Sequence, residues 1–214
     1  MPENEAMLEP TRPAYSRLAY DELLANQLAL AIVRTSMRRL KGHAIEGKGH
    51  LRARVVESLP FKLTNSQESA LQEIISDMSQ PIRMLRLLQG DVGSGKTLVA
   101  LLAMLSAVEA GNQAVIMAPT EILASQHLAT IEPLAKVIGI KVVLLKGGEK
   151  KKIRDEILKK LSNGEASLAV GTHALIQNDV HFESLSLAVI DEQHRFGVDQ
   201  RLALVAKGTA VDML

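Results

Sequence analysis

The sequence predicts an α/β fold: a mainly parallel β-sheet with helices on both faces, preceded by a long amphipathic helix. From Leu59 onward, short apolar runs alternate with segments of helical periodicity, as in repeated strand–helix units. Runs such as Leu187–Ile190 are apolar without interruption, which suits parallel strands covered on both faces. With 214 residues, 47% of them hydrophobic, the chain can bury such a core.

The apolar runs and the turn residues between them set the expected order of elements. Strands are expected at 85–88, 114–118, 141–145, 167–170 and 187–190, with helices beginning near Gln67, Lys96, Glu121, Glu149 and Gly197. Glycines at 111, 139 and 164 follow helical runs, where they commonly end helices. Pro133 lies inside the third of these helices, so a break or kink is expected near Ile131.

The first 58 residues differ in character from the rest. Residues 1–15 are expected to form a flexible tail, 16–58 a linker helix and a mobile loop, and 59–214 the main domain. Apolar residues recur at helical spacing from Asp21 to Leu40, which predicts the amphipathic helix. The Gly-rich stretch 42–50 is expected to be a mobile connection. Its two histidines are expected to be solvated, because no further metal ligands lie nearby.

Composition excludes several classes of protein. No cysteine is present, which excludes disulfide frameworks and thiolate metal sites. No apolar stretch is long and charge-free enough to cross a bilayer, and the acidic, proline-containing start is unlike a signal peptide, so we expect a cytoplasmic protein. The net charge of +1 neither supports nor excludes a nucleic-acid partner. The run 149–152 is expected to be a solvated helix face, with nucleic-acid contact as the alternative.

A phosphate-binding loop is the strongest functional signal. Its residues, between an apolar run and a helical run, match the pattern G-x-x-x-x-G-K-[ST]: Gly90, Asp91, Val92, Gly93, Ser94, Gly95, Lys96 and Thr97. Glycines let backbone N–H groups approach phosphates, Lys96 adds a positive charge, and Thr97 offers a hydroxyl to Mg²⁺. The pattern therefore predicts a site for a nucleoside triphosphate; the alternative is a glycine-rich turn with a surface lysine.

Two acids follow the buried strand 187–190. Asp191 and Glu192 would lie at the carboxyl end of a parallel strand, where α/β sheets place ligand groups. We expect Asp191 to hold Mg²⁺ and Glu192 to orient or deprotonate the attacking water. The alternative is that both acids cap the next helix.

Four further segments give the chain a family resemblance. They are PFKLTNSQ (60–67), APTEILASQH (118–127), GTHALIQ (171–177) and DEQHRFGVDQR (191–201). In this order they resemble the motifs of superfamily 2 helicases and, more narrowly, the RecG family of bacterial ATP-dependent DNA helicases, which remodel stalled forks and Holliday junctions. The resemblance implies a RecA-like domain that uses ATP and Mg²⁺ and contacts branched or duplex DNA through its phosphate backbone.

Individual residues take roles from the same resemblance. Lys96, Asp191 and Glu192 would be catalytic. Gln67 would read the adenine edge and Phe61 would pack beside the ring, although Thr64-x-x-Gln67 is also a helix capping box. The family's DNA contacts fall on Thr120, Glu121, Thr172 and His173, for which ordinary turn or cap chemistry is the alternative. Residues that would couple nucleotide state to DNA are Gln193, His194, Arg195, Gln200 and Arg201.

The resemblance also implies parts that this sequence does not contain. Family members continue into a Thr-Ala-Thr-Pro-like motif and a second motor lobe, whose arginine completes the ATP site, and they carry a wedge domain ahead of the motor. We therefore expect a first motor lobe that binds MgATP but hydrolyses it poorly alone. The alternatives are the motor lobe of an Mfd-like duplex DNA translocase and a stand-alone nucleotide-gated binding module without catalysis.

Overall fold

The computed structural model describes Arg17, Tyr20, Asp21, Leu24 and residues 41–214. The chain divides after residue 40. Before that point the four described residues are helical. The remainder of the amphipathic helix predicted for 21–40, and the tail predicted for 1–15, lie outside the described residues.

Residues 41–214 form an alternating series of helices and strands. The helices are α1 (His50–Ser58), α2 (Asn65–Met78), α3 (Lys96–Glu109), α4 (Glu121–Ile138), α5 (Lys151–Ser162) and α6 (Val198–Val205). The strands are β1 (Gln113–Met117), β2 (Val142–Leu145), β3 (Leu168–Gly171), β4 (Leu185–Ile190) and β5 (Asp212–Met213). Short 3-10 helices span His173–Ile176 and Gln193–Arg195. The α/β class is confirmed. In this part of the chain, no helix is long and apolar enough to cross a membrane.

The five strands form one parallel sheet in the order β2-β3-β1-β4-β5. The central strand β1 pairs with β3 on one side and with β4 on the other, so that Val115 lies opposite Ala169 and Ala188. Because all strands point the same way, their carboxyl ends meet at one edge of the sheet. The residues that follow β1, β3 and β4 are therefore brought close together.

Successive side chains of the strands enter two separate cores. Ala114, Ile116 and Val189 pack with α1 to α4 on one face. Val115, Met117 and Ala188 pack on the other face, with buried residues from α5 and α6. The alternation follows from the two-residue period of a strand. Both faces are covered, as the uninterrupted apolar runs predicted.

Helix α3 is the most deeply buried helix of residues 41–214. Every residue from Leu98 to Ala107 is buried. A helix that is apolar on all sides has to be enclosed, and α3 packs between the sheet and helices α1 and α2. The loop that precedes α3 is consequently fixed to the centre of the domain.

One buried polar residue at the start of β1 joins the end of α5 to the segments that precede β3 and β4. Gln113 is 3% exposed. Its side-chain Nε2 donates to the carbonyl oxygens of Leu161 and Ala166 at 2.9 and 2.8 Å, and its Oε1 accepts from the N–H of Ser184 at 3.0 Å. All of these partners are backbone atoms. The amide is thereby satisfied in a place where an unpaired polar group would be costly.

The strand expected at 85–88 is not formed in the structure. Leu85 forms a single parallel bridge to Met213, and Arg86 N–H donates to the Met213 carbonyl at 2.9 Å. The partner strand β5 is only two residues long, so no longer ladder can form. Leu85 and Leu87 are 55% and 64% exposed. An apolar run that reads as a buried strand is thus an edge segment with one open face.

The stretch 42–50, expected to be a mobile connection, is anchored to the domain. Ile45 is 2% exposed, and its N–H donates to the Met78 carbonyl at 2.8 Å. The carboxylate of Glu109 accepts from the N–H groups of His50 and Leu51, at 2.6 and 3.2 Å, and so caps α1. No sequence pattern indicates this cap, because Glu109 lies 59 residues from His50 and 58 residues from Leu51. His43 and His50 are exposed, as expected.

The helix-ending glycines are confirmed, whereas the break expected near Ile131 is absent. Gly111, Gly139 and Gly164 have φ of 83°, 76° and 71°. Helix α4 runs through Pro133 from Glu121 to Ile138. Pro133 has no N–H to donate to the Ala129 carbonyl. Both residues are exposed, so water can donate to this carbonyl instead. The cost of the proline is therefore reduced enough for packing to keep the helix whole.

Asp212 in β5 is a buried acid at the edge of the sheet. It is 1% exposed, and its Oδ1 accepts from the Met84 N–H at 2.7 Å. Within the described residues its Oδ2 has no hydrogen-bond partner. Burial raises the pKa of Asp212 to about 7, although the Met84 N–H and the charge of Arg83 act in the opposite direction.

We predict that Asp212→Asn removes a pH-dependent loss of stability. An unfolded aspartate has a pKa of about 3.9, so between about pH 4 and pH 7 the folded state binds more protons than the unfolded state. The free energy of unfolding of the wild type should therefore fall as pH rises through this window. Asparagine keeps an oxygen for the Met84 N–H and carries no charge.

Urea unfolding checks this at about pH 5 and about pH 8. Relative to the wild type, Asp212→Asn should be more stable at the higher pH than at the lower one. Asp155→Asn, an exposed acid on α5, is the matched control. An Asp212→Asn difference that is the same at both pH values would contradict the assignment.

Candidate functional site

The predicted phosphate loop leads into the buried helix α3. Gly93 and Gly95 have φ of 81° and 82°, in the left-handed region that glycine adopts without strain. The N–H of Ser94 donates to the Asp91 carbonyl at 3.2 Å and closes a tight turn. Gly95 is the N-cap of α3, a helix of 14 residues. The free N–H groups and positive dipole end of α3 therefore face the loop.

Lys96 is folded onto this loop. Its Nζ donates to the carbonyl oxygens of Gly90 and Asp91 at 2.6 and 2.8 Å. Thr97, the next residue of α3, is half-buried. Charged phosphate oxygens accept hydrogen bonds from an ammonium more strongly than neutral carbonyls do. An anion in the loop would therefore compete well for the lysine.

Gln67 joins the start of α2 to the phosphate loop. Its Oε1 accepts from the Thr64 N–H at 2.9 Å while the Thr64 hydroxyl accepts from the Gln67 N–H at 3.3 Å, so the capping box is present. Its Nε2 donates to the Ser94 carbonyl at 2.8 Å. An amide retains a second N–H and a free lone pair in this arrangement. Contact with adenine stays a prediction, as does the role of Phe61, which is 54% exposed.

Asp191 follows directly on β4. Its N–H donates to the carbonyl of Met117, the last residue of β1, at 3.0 Å. The side chain is partly buried, and its Oδ2 lies 2.8 Å from Nε2 of His127. The hydrogen bond from His127 holds the pKa of Asp191 below its ordinary value, against the opposing effect of burial, and the charge of Lys96 contributes in the same direction. The acid is therefore ionised at neutral pH.

Glu192 has an unusual backbone conformation. Its φ and ψ are 50° and 49°, in the left-handed region, which costs a non-glycine residue about 1 kcal/mol. It precedes the 3-10 helix Gln193–Arg195 and makes no side-chain capping bond to it. The alternative in which this acid caps the following helix is not what the structure shows. The Glu192 carboxylate is instead exposed, 3.4 Å from Nε2 of His194.

His127 is the residue of this site that the sequence did not single out. It belongs to α4 and is 8% exposed. A carboxylate only accepts hydrogen bonds, so the imidazole must donate through Nε2 to Asp191. The two residues are 64 positions apart, and no sequence pattern links them.

The loop and the acids line one cavity of about 560 Å³. Its polar lining includes Lys96, Thr97, His127, Asp191 and Glu192. Mg²⁺ prefers oxygen ligands and usually takes only one or two from the protein, the others coming from water and phosphates. Among the described residues no group of three or more acids and histidines forms a metal site by itself. The hydroxyl of Thr97 and the carboxylate of Asp191 fit a magnesium ion that arrives with a nucleotide.

The predicted DNA contacts lie at the same sheet edge, but they are not equally accessible. Thr120 is exposed at the start of α4, and its hydroxyl accepts from the Leu123 N–H at 3.2 Å as an N-cap. Glu121 and His173 are also exposed. Thr172 is 2% exposed, and its hydroxyl has no partner within the described residues. The Thr172 hydroxyl is therefore covered in this arrangement, and its contact with DNA stays a prediction.

The predicted coupling residues follow the acids on the surface. Arg201 Nη1 donates to the side-chain oxygen of Gln193 at 3.4 Å, which ties α6 to the 3-10 helix. The side chain of Gln200 accepts from the Gly197 N–H at 3.2 Å. His194 and Arg195 are exposed. Their coupling role stays a prediction.

The protein-family model for the DEAD/DEAH box helicase matches residues 64–210, which is well over half of the chain. This chain belongs to the DEAD/DEAH box helicase family.

Within this helicase family the chain is similar to RecG proteins. It is 46% identical over 208 residues to the ATP-dependent DNA helicase RecG of Pasteurella multocida, covering 97% of this chain and 30% of that protein. It is 50% identical over 202 residues to RecG of Thermotoga maritima, covering 94% and 26%. A structure of RecG bound to a three-way DNA junction is 47% identical, with a TM-score of 0.82, covering 93% and 27%. The resemblance to RecG and the RecA-like fold are confirmed; the chain spans less than a third of each relative.

We predict that alanine is tolerated less well at Gly95 of the helicase phosphate loop than at Gly93. Both glycines are left-handed, so alanine costs about 1 kcal/mol at either position. A Cβ at Gly93 meets nothing within 4 Å, whereas a Cβ at Gly95 lies 2.4 Å from Gln67 Nε2. Gly95→Ala should therefore also displace the Gln67 amide from Ser94, at a further cost of about 1 kcal/mol.

The free energy of unfolding in urea measures both variants. The extra cost at Gly95 should disappear when each substitution is repeated in a Gln67→Ala background, because the displaced amide is then already absent. A gap between the two positions that survives in that background would show that Gln67 is not its cause.

Proposed function

We propose that this chain is the ATP-binding motor lobe of a RecG-like ATP-dependent DNA helicase, which remodels branched DNA such as stalled forks and Holliday junctions in repair and recombination. The observation that carries the proposal is one cavity lined by the phosphate loop with Lys96 and by Asp191 and Glu192. The same chain is 46% identical to a RecG helicase over nearly its whole length. RecG is therefore favoured over an Mfd-like translocase and over a stand-alone binding module.

Different residues of the cavity would bind the phosphates, the metal, the attacking water and the adenine. Backbone N–H groups of the loop and Lys96 would bind the phosphates, with Lys96 exchanging two carbonyl partners for phosphate oxygens. Thr97 and Asp191 would hold Mg²⁺, which when bound neutralises charge on the phosphates. Glu192, exposed beside them, would orient or deprotonate the attacking water. Gln67 and Phe61 would contact the adenine.

DNA would be bound at the same edge of the sheet. The start of α4, with Thr120 and Glu121, offers a hydroxyl and helix N–H groups, which suit phosphate oxygens and carry no sequence information. His173 would add a contact beside it, and Thr172 would act from beneath the surface by shaping this turn. Through Gln193–Arg195, Gln200 and Arg201, nucleotide state would be relayed to the DNA. We expect the protein to act in the cytoplasm.

We predict that Lys96→Ala weakens binding of ATP to the 214-residue protein about 10- to 100-fold, because a charge-assisted hydrogen bond is worth about 1.5–3 kcal/mol. Titration with a fluorescent, non-hydrolysable ATP analogue in the presence of Mg²⁺ measures the affinity. Lys159→Ala, an exposed lysine on α5, is the control and should bind as the wild type does. Equal affinities for all three proteins would contradict the assignment of the loop.

The rate of MgATP hydrolysis distinguishes a motor lobe that needs a second lobe from an enzyme that is active by itself. We expect the 214 residues alone to hydrolyse MgATP near background, with or without forked DNA, because an arginine supplied from elsewhere is typically worth about 10³- to 10⁵-fold in turnover. Glu192→Gln gives the background rate. A fork-stimulated rate that Glu192→Gln abolishes would contradict the motor-lobe proposal and indicate a site completed by a second copy.

A further inference from the structure

The contact between His127 and Asp191 has no part in the roles given above. His127 is on the second turn of α4, and its Nε2 donates to Asp191 Oδ2 at 2.8 Å. The histidine side chain is 11% exposed and the aspartate side chain 29% exposed, so water competes little for this bond. Both residues line the cavity of the phosphate loop. The bond therefore joins a buried donor to the acid that would hold the metal.

Two attachments together fix the position of this acid. The backbone of Asp191 is held by its N–H bond to Met117 in β1. That bond leaves the side chain free to rotate about χ1 and χ2. The bond from His127 restricts this freedom by engaging Oδ2, and the Glu192 N–H adds a smaller interaction with the same carboxylate. No side chain among the described residues bonds Oδ1, so this oxygen keeps lone pairs for another ligand.

The donor is itself on a rigid support. Helix α4 has 18 residues, and buried Ala124 and Ile131 flank His127 on the face turned to the core. The imidazole therefore has little room to change rotamer. A carboxylate that is held by a hydrogen bond from a packed side chain loses less conformational entropy when it binds a metal.

We propose that His127 is a positioning residue for the metal-holding acid: from α4 it fixes Asp191 through Oδ2 and presents Oδ1 to the magnesium ion of the bound nucleotide. The proposal rests on the proposed function, because it takes Asp191 as the magnesium ligand. It assigns to α4 a role in the nucleotide site, in addition to the DNA contact expected at the start of that helix. His127 touches neither substrate nor metal in this role.

Metal dependence of nucleotide binding tests the proposal on the 214-residue protein. A fluorescent, non-hydrolysable ATP analogue is titrated at a series of Mg²⁺ concentrations and again in EDTA. His127→Leu keeps the bulk of the side chain and removes the donor. It should raise the Mg²⁺ concentration needed for half-maximal binding about 10- to 100-fold, as loss of a supporting hydrogen bond does at other metal sites, and leave the affinity in EDTA unchanged.

Two amide variants keep the test independent of the fold of the leucine variant. Glutamine places an N–H near the position of imidazole Nε2, so His127→Gln should restore the Mg²⁺ dependence of the wild type. Asparagine is shorter by one methylene and cannot reach Asp191, so His127→Asn should behave like His127→Leu. Gln126→Leu, at the exposed neighbouring position on α4, is the matched control and should bind as the wild type does.

The outcomes separate the two proposals. A wild-type protein that shows no Mg²⁺-dependent binding would overturn the proposed function itself. Wild-type binding that depends on Mg²⁺, together with unchanged dependence in His127→Leu and His127→Asn, would overturn only the role of His127. Equal loss of affinity with Mg²⁺ and in EDTA would also overturn it, because that result indicates general damage to the pocket.

Discussion

The parallel pairing of β1 with β4 is the interaction on which the candidate site depends. Met117 ends β1 opposite Ile190 at the end of β4, and the bond from Asp191 N–H to the Met117 carbonyl continues the ladder by one residue. A shift of this register by one residue would turn Asp191 to the other face of the sheet. The phosphate loop is fixed relative to this pair because α3 packs on the same strands. The loop and the acids thus line the same cavity.

Helix α4 is the second element that the site requires. It begins at Glu121, beside the exposed Thr120, and reaches His127 six residues later, about 9 Å along its axis. The predicted DNA contact and the donor to Asp191 therefore belong to one rigid body. The packing that keeps α4 continuous through Pro133 also keeps the spacing between these two ends constant.

The sequence predicted those parts of the site that are local in the chain. The phosphate loop is eight consecutive residues, and Asp191 and Glu192 follow a strand whose apolar run is unmistakable. It could not predict His127, whose partner lies 64 residues away, nor the burial of Thr172. The burial predicted for the segment 85–88 was wrong, because apolar side chains are buried only where another element packs on them. The two-residue strand β5 bonds this segment along one edge, and Leu85 and Leu87 remain exposed.

Gln113 has a consequence for how freely this sequence can vary. Its side-chain amide donates to the carbonyls of Leu161 and Ala166 and accepts from the N–H of Ser184. Backbone groups are the same whatever side chain they carry, so substitutions at those three positions leave the bonds intact. Substitution of Gln113 itself would take the bonding partner from the Ala166 carbonyl and the Ser184 N–H, whereas the Leu161 carbonyl would keep the Glu183 N–H at 3.3 Å. In a library of variants hydrogen bonding should therefore constrain the amide of Gln113, whereas packing alone should constrain the buried side chains of Leu161 and Ala166.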